Sequence, residues 1–408
     1  MNSTQVLDIF KEITTIPRES GHEAPIIAYL QRFAAAHGLD CKTDAIGNVL
    51  ITRPASKGKE NIPTLVLQSH QDMVCEKKAG VVHDFSVDPI RYEIEDGWMI
   101  ARDTTLGADD GIGIASELAL LASDLQTGRI ECLFTISEET GMDGAEALQS
   151  GFFTGKTLIN LDSEDEGQLF IGCSGGMNSK VTFRYKEEAV AEDNEVIELT
   201  IDGAAGGHSG DDINKERANA VQLMARFLYR EWKRGLQLVS LEGGNKPNAI
   251  ARDCRAVIAV PHPRGTKSRF AAFGEELKNE FASSDPGLRC LTASSAAKKA
   301  IGSEVACRLI SSLCCCPHGV QAMSQDIPGL VETSTNLASV KMPRKGIVEI
   351  GTSQRSSILS AREMIGDKVE AVFTLAGASV KRQYAYPGWK PNLDSHILSV
   401  CVESYRRL

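Results

Sequence analysis

A chain of 408 residues is longer than one hydrophobic core usually serves, so length alone predicts two domains. The net charge of -10 and the lack of a basic cluster set aside nucleic acid and anionic membrane surfaces as expected partners. No stretch approaches the about 20 apolar residues that span a bilayer, and MNSTQVLDIF carries no export signal, so a cytoplasmic location is expected. Eleven scattered cysteines fit reduced thiols better than a disulfide framework. Cys314, Cys315 and Cys316, followed by Pro317 and His318, have no second cluster at zinc-like spacing and read as a packed or loop segment without metal.

Val6, Ile9, Phe10 and Ile13 recur at helical spacing and predict an amphipathic helix ending before Pro17. Ser20 and Glu23 form a capping-box pattern ahead of Ile26, Ile27, Leu30 and Phe33, a second helix that stops at Gly38. Val49 to Thr52 reads as a strand, and the run IPTLVLQ as the next. That run ends at His70, with Asp72 two residues later. Extended geometry points both to one side, so the carboxylate can hold one imidazole nitrogen while the other faces a metal; a satisfied surface pair is the alternative.

Asp109 and Asp110 then precede a glycine-eased turn into a helix carrying Ile114, Leu118 and Leu121. One aspartate can cap that helix, which leaves the other free. Ile130 to Ser137 predicts a buried strand running into Glu138 and Glu139, and Leu158 to Leu161 a further one ending at Asp162. Helices alternating with strands indicate an α/β layered domain, and the carboxyl ends of its strands are where ligands sit in open α/β sheets. A His, Asp, Glu and Asp set without cysteine suits a hydrolytic zinc site, or manganese or cobalt in its place. Taken singly, each acid also reads as an exposed loop residue.

After GCSGGMN the pattern changes. Lys180 to Lys186 and Glu195 to Asp202 alternate as strands, Lys215 to Trp232 reads as a helix, and LQLVSLEGG, NAIARDCRAVIAVP, the helix near Phe270 to Phe281 and IVEIGTSQRSS continue a β, α, β rhythm. This predicts an inserted α+β domain over 177–384, flanked by 1–176 and by 385–408, with AYPGWKPN as the return linker. His208, in the loop GGHSG, reads on its own as structural or solvated.

The segments LVLQSHQDMV, VHDF with DPI soon after, TTLGADDGIG, EETGMDGA, NLDSEDEG, GGHSGDDI, NAIARD, GLVETSTNLA and AYPGWKPN occur in the order and approximate spacing of one family. The chain resembles the aminoacyl-histidine dipeptidase (Xaa-His dipeptidase) branch of the dinuclear zinc exopeptidases, which also include carnosinases, aminoacylases and carboxypeptidase G. The resemblance implies a zinc-exopeptidase catalytic domain with a mixed sheet between helices, interrupted by a lid through which two chains pair as a homodimer. It implies His70, Asp109, Glu139 and Asp162 as metal ligands, with Asp109 bridging two ions, Asp72 orienting His70 and Glu138 as general base. It further implies that His208 polarises the scissile carbonyl, that Arg355 holds the carboxylate of a small peptide substrate, and that Asn219 and Asn248 contact substrate.

Family members continue past the helix that ends here at Tyr405 to Leu408, adding sheet and a Gly-Pro-His segment whose histidine is the last ligand of the second metal. This chain therefore reads as truncated in mid-element, since the helix from Asp394 ends without the usual Gly or Asn. One tightly held ion is the expectation, with a second, weaker site left to Glu139 and its share of Asp109. A deacylase-type amidohydrolase and a silent, metal-binding remnant stay open beside the metallodipeptidase.

Overall fold

The computed structural model describes residues 2–163 and 166–407; Glu164 and Asp165 of the NLDSEDEG motif, and Leu408, lie outside the described residues. The chain divides into two compact units, Met1–Leu169 with Ser399–Leu408, and Phe170–Leu398.

The first unit opens with α1 (Ser3–Ile13), whose start is fixed by a reciprocal capping box: Asn2 Oδ1 accepts the Gln5 amide and Gln5 Oε1 accepts the Asn2 amide, each at 2.9 Å. Helix α2 (Ala24–Ala36) carries Pro25 in its first turn and ends at His37. The capping box expected at Ser20 and Glu23 does not form. Glu23 is the N-cap position but makes no side-chain cap bond, because both side chains are taken by distant partners described below.

Five strands follow in the order β1 (Asp40–Thr43), β2 (Val49–Arg53), β3 (Leu65–His70), then a small hairpin of β4 (Glu93–Glu95) with β5 (Trp98–Ile100). Helix α3 (Ala108–Leu121), strand β6 (Ile130–Thr135), the short turns α4 (Glu138–Gly141) and α5 (Asp143–Ala147) and strand β7 (Thr157–Asn160) complete the layer. The sheet order is β1-β2-β6-β3-β7, with β3, β6 and β7 mutually parallel and β1 and β2 antiparallel to their neighbours. Alternation along the strands sends Val49, Ile51, Leu67, Ile130, Cys132 and Phe134 into a core with Ile13, Leu30 and Leu118. Leu50, Val66 and Leu133 face the other way, under Leu148, Phe152 and Phe153. Sheet strands buried on both faces explain the near-continuous apolar runs seen in the sequence.

The strands of the second unit are β8 (Gly175–Arg184), β9 (Glu187–Ala189), β10 (Glu195–Asp202), β11 (Gln237–Gly243), β12 (Cys254–Val260), β13 (Arg289–Ser294), β14 (Lys299–Ile301), β15 (Gly319–Met323), β16 (Val331–Arg344), β17 (Ile347–Ser356) and β18 (Ser379–Tyr386), and all but β9 and β14 form one large antiparallel sheet. Its order is β13-β10-β12-β11-β16-β17-β8-β18, with β15 also on β16 and a separate β9-β14 pair. Helices α6 (Ala220–Trp232), α7 (Pro263–Glu280), α8 (Ser303–Cys315) and α9 (Leu359–Leu375) supply buried residues such as Phe227, Phe270, Leu309 and Phe373 to its core. Helix α10 (His396–Tyr405) follows. Strand β8 begins five residues earlier than Lys180, inside the glycine run, where the chain stays extended beside β17. Cys314 and Cys315 end α8 and Cys316 is its buried C-cap.

Candidate active site

Because β3, β6 and β7 are parallel, the segments leaving them emerge at one edge of the first sheet, and that edge gathers the acids. His70 closes β3 and is fully buried. Its Nε2 lies 2.8 Å from Asp109 Oδ1 and 3.9 Å from Asp162 Oδ1. Its Nδ1 is held from behind by Asp72, 3.3 Å from Oδ1 and 3.1 Å from the backbone carbonyl. With Nδ1 occupied, Nε2 is the nitrogen left to face the acids.

Asp72 is also fully buried and organises more than the imidazole. Its Oδ1 accepts the Glu138 amide at 3.0 Å, and its Oδ2 accepts the Glu139 amide at 3.2 Å and the Ser20 hydroxyl at 2.7 Å. Burial alone would raise this carboxyl, but the hydrogen bonds from His70, Ser20 and Glu138 outweigh it and hold the group at about 2. Arg18, buried as well, donates to the carbonyls of Gln71 at 3.1 Å and Asp72 at 2.6 Å, and to that of Gly107. One guanidinium thus ties the end of β3 to the start of α3.

The two aspartates at that start divide their work. Backbone angles at Asp109 and Asp110 depart from helical values, and their mutual peptide bond is cis. Asp110 Oδ1 accepts the Gly113 amide at 3.1 Å and its Oδ2 the His70 amide at 3.3 Å, so it caps the helix proper and braces β3. Asp109 is the carboxylate turned to His70.

Two groups of donor atoms lie close enough to share an ion: His70 with Asp109 and Asp162, and His70 with Glu138 and Glu139, each set within 4.8 Å. The electrostatics express a demand for positive charge. Burial disfavours a charged imidazole, yet Asp72, Asp109 and Asp162 outweigh it and lift His70 to about 10. Glu138 is raised by burial, and by Asp162, Glu139 and Asp72 against the opposing His70. Glu139 is raised by burial and by Asp109. Asp110 is pushed to about 7 by burial and Asp162. Without a cation these acids compete for protons; a divalent ion at either donor group would relieve the crowded negative charge around His70.

The second unit brings another set together. Arg355, on β17, lines a cavity of about 230 Å³ with Asn248, Asn178, Ser353, Tyr384 and Tyr386. Its Nε is buried without a hydrogen-bond partner among the described residues. A Cβ on Gly210 would sit 3.1 Å from His208 Cε1 and 3.5 Å from an Arg355 Nη1, so the loop GGHSG brings the histidine beside that arginine. His208 Nδ1 lies 2.8 Å from Asp211. Asn219 is placed elsewhere: its Oδ1 caps α6 through the amides of Val221 and Gln222, and its Nδ2 donates to the Leu337 carbonyl at 2.7 Å. A buried amide engaged at both ends has little left for a substrate.

Residues 66–408 match the model of the peptidase family M20/M25/M40. The chain belongs to that family. Over 409 aligned positions this M20 peptidase is 40% identical to the cytosol non-specific dipeptidase of Escherichia coli K12, covering 98% of this chain and 84% of that one. Among solved structures it is similar to the aminoacylhistidine dipeptidase of Vibrio alginolyticus, with a TM-score of 0.96 and 37% identity over 100% of this chain and 84% of that chain. A tripeptidase of Staphylococcus aureus shares the fold at 18% identity and a TM-score of 0.54, covering 100% of this chain and 82% of that one. The resemblance read from the motifs, and the zinc-exopeptidase type of α/β fold it implied, are borne out. Ser20, Glu23, Arg18 and Asn48 do not stand out as site residues in the sequence, since nothing local in PRESGHE or GNV announces partners 50 to 115 residues away.

Proposed function

We propose that this M20 peptidase is a metal-dependent dipeptidase acting on Xaa-His and related dipeptides. The observation that carries the proposal is the convergence of a buried, oriented His70 with Asp109, Asp162, Glu138 and Glu139 at one sheet edge. All donors are imidazole or carboxylate, a set that fits zinc, manganese or cobalt. His70, Asp109 and Asp162 would hold one ion, and Glu139 with a shared Asp109 a second. When bound, the metal supplies Lewis acidity and acidifies the attacking water.

Asp72 holds the His70 tautomer and, through the two amides it accepts, the turn that carries both glutamates. Glu138 takes the proton from water and returns it to the leaving amine, a task suited by a carboxyl raised above its ordinary range. Glu139 is kept as a metal ligand, leaving Glu138 for proton transfer. His208 polarises the scissile carbonyl. Arg355, whose planar fork matches two carboxylate oxygens, holds the peptide's terminal carboxylate with Asn248 beside it.

No helix among the described residues is long and apolar enough to cross a membrane, and the name of the Escherichia coli relative supports a cytosolic location. Pairing of two chains through the second unit belongs to the same reading; a monomer by sedimentation equilibrium removes it. The central test is hydrolysis of a histidine-containing dipeptide by dialysed protein with zinc or manganese restored. Hydrolysis that returns with metal supports the proposal, and metal-independent hydrolysis or none in any metal refutes it.

A further inference from the structure

The glutamates of the active site lie on a segment whose backbone is unusual at both ends. Ser137, immediately before Glu138, has φ 52, and Met142 has φ 62, both in the left-handed region that non-glycine residues avoid. Neither is Gly, Asn or Asp, so local preference does not make this turn. Tertiary contacts must hold it.

Those contacts are buried side chains. Glu23, 5% exposed at the start of α2, accepts both the backbone amide of Ser137 at 3.0 Å and its hydroxyl at 3.1 Å through one carboxylate oxygen. Asn48, fully buried, grips both flanks of the turn: its Oδ1 accepts the Ile136 amide at 3.1 Å and its Nδ2 donates to the Gly144 carbonyl at 2.8 Å. Asp44 in turn fixes the Asn48 amide at 2.7 Å. Residue 144 must be glycine for this closure, since a Cβ there would lie 2.5 Å from the Ile136 carbonyl oxygen and 2.6 Å from Asn48 Oδ1.

We propose that Glu23 and Asn48 form a clamp that imposes the left-handed entry at Ser137 and so aims Glu138 and Glu139, making Glu23 a positioning residue for the reaction. This rests on the dipeptidase reading for its consequence in rate, and on geometry alone for its consequence in structure. Asp72 already reaches the amides of Glu138 and Glu139. Glu23 adds the preceding amide, so three consecutive backbone donors, 137 to 139, end on two buried carboxylates. The acceptor matters here rather than the charge, because both bonds of Glu23 to Ser137 are received by oxygen.

A comparison carboxylate lies on the strand that leads to the turn. Glu131, near the beginning of β6 and fully buried, accepts the amides of Thr154 at 2.7 Å and Gly155 at 3.0 Å and the Thr154 hydroxyl at 2.8 Å. It clamps a loop at the opposite end of β6 from Glu138. Loss of either carboxylate should cost stability; only loss of Glu23 should cost catalysis.

The experiment compares Glu23→Ala, Glu23→Gln and Glu131→Ala with the unsubstituted chain in the metal-restored protein, well below each melting temperature. Glu23→Ala is expected to lower kcat by about 10- to 100-fold with KM within about twofold, Glu23→Gln to recover most of that loss, and Glu131→Ala to keep kcat within about twofold. Hydrogen exchange of the segment 136–144 is read in the same samples. It should speed up in Glu23→Ala but not in Glu131→Ala. Unchanged exchange there in Glu23→Ala overturns the clamp, as does an equal fall of kcat in Glu23→Ala and Glu131→Ala, or a Gln variant as impaired as Ala. If the unsubstituted chain hydrolyses no dipeptide, the dipeptidase reading fails by itself, and exchange still decides the clamp.

Discussion

Consecutive glutamates at 138 and 139 share a turn, and amide substitution tests the different tasks proposed for them. Glu138→Gln keeps the shape and removes the proton acceptor, so bound metal measured by elemental analysis should stay nearly intact while turnover falls by about 100-fold or more. Glu139→Gln should lose metal first. Equal metal loss in both variants would contradict the division. Glu117 offers a second prediction away from the chemistry. It is fully buried on α3, and neither carboxyl oxygen finds a hydrogen-bond partner among the described residues. Burial, reinforced by Asp110, raises it well above the ordinary range. The folded chain therefore keeps a proton that the unfolded chain releases above the usual carboxylate pKa, so this group lowers stability as pH rises from about 4.5. Glu117→Gln removes that dependence. Its melting temperature should exceed that of the unsubstituted chain at pH 8, by about 2–4 °C for each kcal/mol relieved, and the gap should shrink toward pH 5; a gap that widens toward acid would reverse the sign argued here.

The start of α3 shows how an element serves the site. A Cβ on Gly113 would lie 2.2 Å from Asp110 Oδ1, the oxygen that accepts the Gly113 amide. Gly113→Ala should displace Asp110, lower stability by about 1–3 kcal/mol and weaken metal uptake in titration calorimetry. In α7, by contrast, the nearest atom to a Cβ on Gly265 is the mobile end of Arg269 at 3.1 Å. There, Gly265→Ala should stabilise by up to about 1 kcal/mol in urea unfolding. Elements also show how far the sequence could be read. Strands β3 and β6, and the acids just beyond them, are legible because a strand buried on both faces leaves an apolar run, while the half-exposed edge strand β7 is legible from Leu158 to Leu161 running into Asp162. Ser20 and Glu23 read as a local cap because spacing records neighbours in the chain, whereas their partners Asp72 and Ser137 are supplied by the fold. Helix α9 and strand β18 left no clear expectation: α9 buries only Arg362, Ile365, Gly366, Val369 and Phe373 of its 17 residues, a sparse stripe that includes an arginine. Family resemblance implies a substrate contact for Asn219, and its role as the cap of α6 shows only in its hydrogen bonds.

At the scale of the whole molecule, the candidate metal donors and Arg355 belong to different compact units. Arg355→Ala should therefore leave metal content unchanged. It should raise KM for a dipeptide by about 10- to 100-fold, the worth of a hydrogen bond to a charged group, and barely alter turnover of the same dipeptide with an amidated terminus. Equal effects on the two substrates would remove Arg355 from substrate recognition. The second unit carries a consequence for biosynthesis as well. Strand β8 pairs along its full length with β17 on one side and, between Gly176 and Thr182, with β18 on the other, and both partners are encoded far downstream, from Ile347 and Ser379. At ribosomal rates of about 5–20 residues per second, β8 waits roughly 8–33 s after emerging before β17 begins to appear. During that interval its alternating face of Met177, Val181 and Phe183, all nearly inaccessible in the finished protein, has no sheet to enter. The nascent chain thus displays an unpaired apolar strand while residues 185–346 are being made, a natural handle for a chaperone and a seed for aggregation when translation outruns folding.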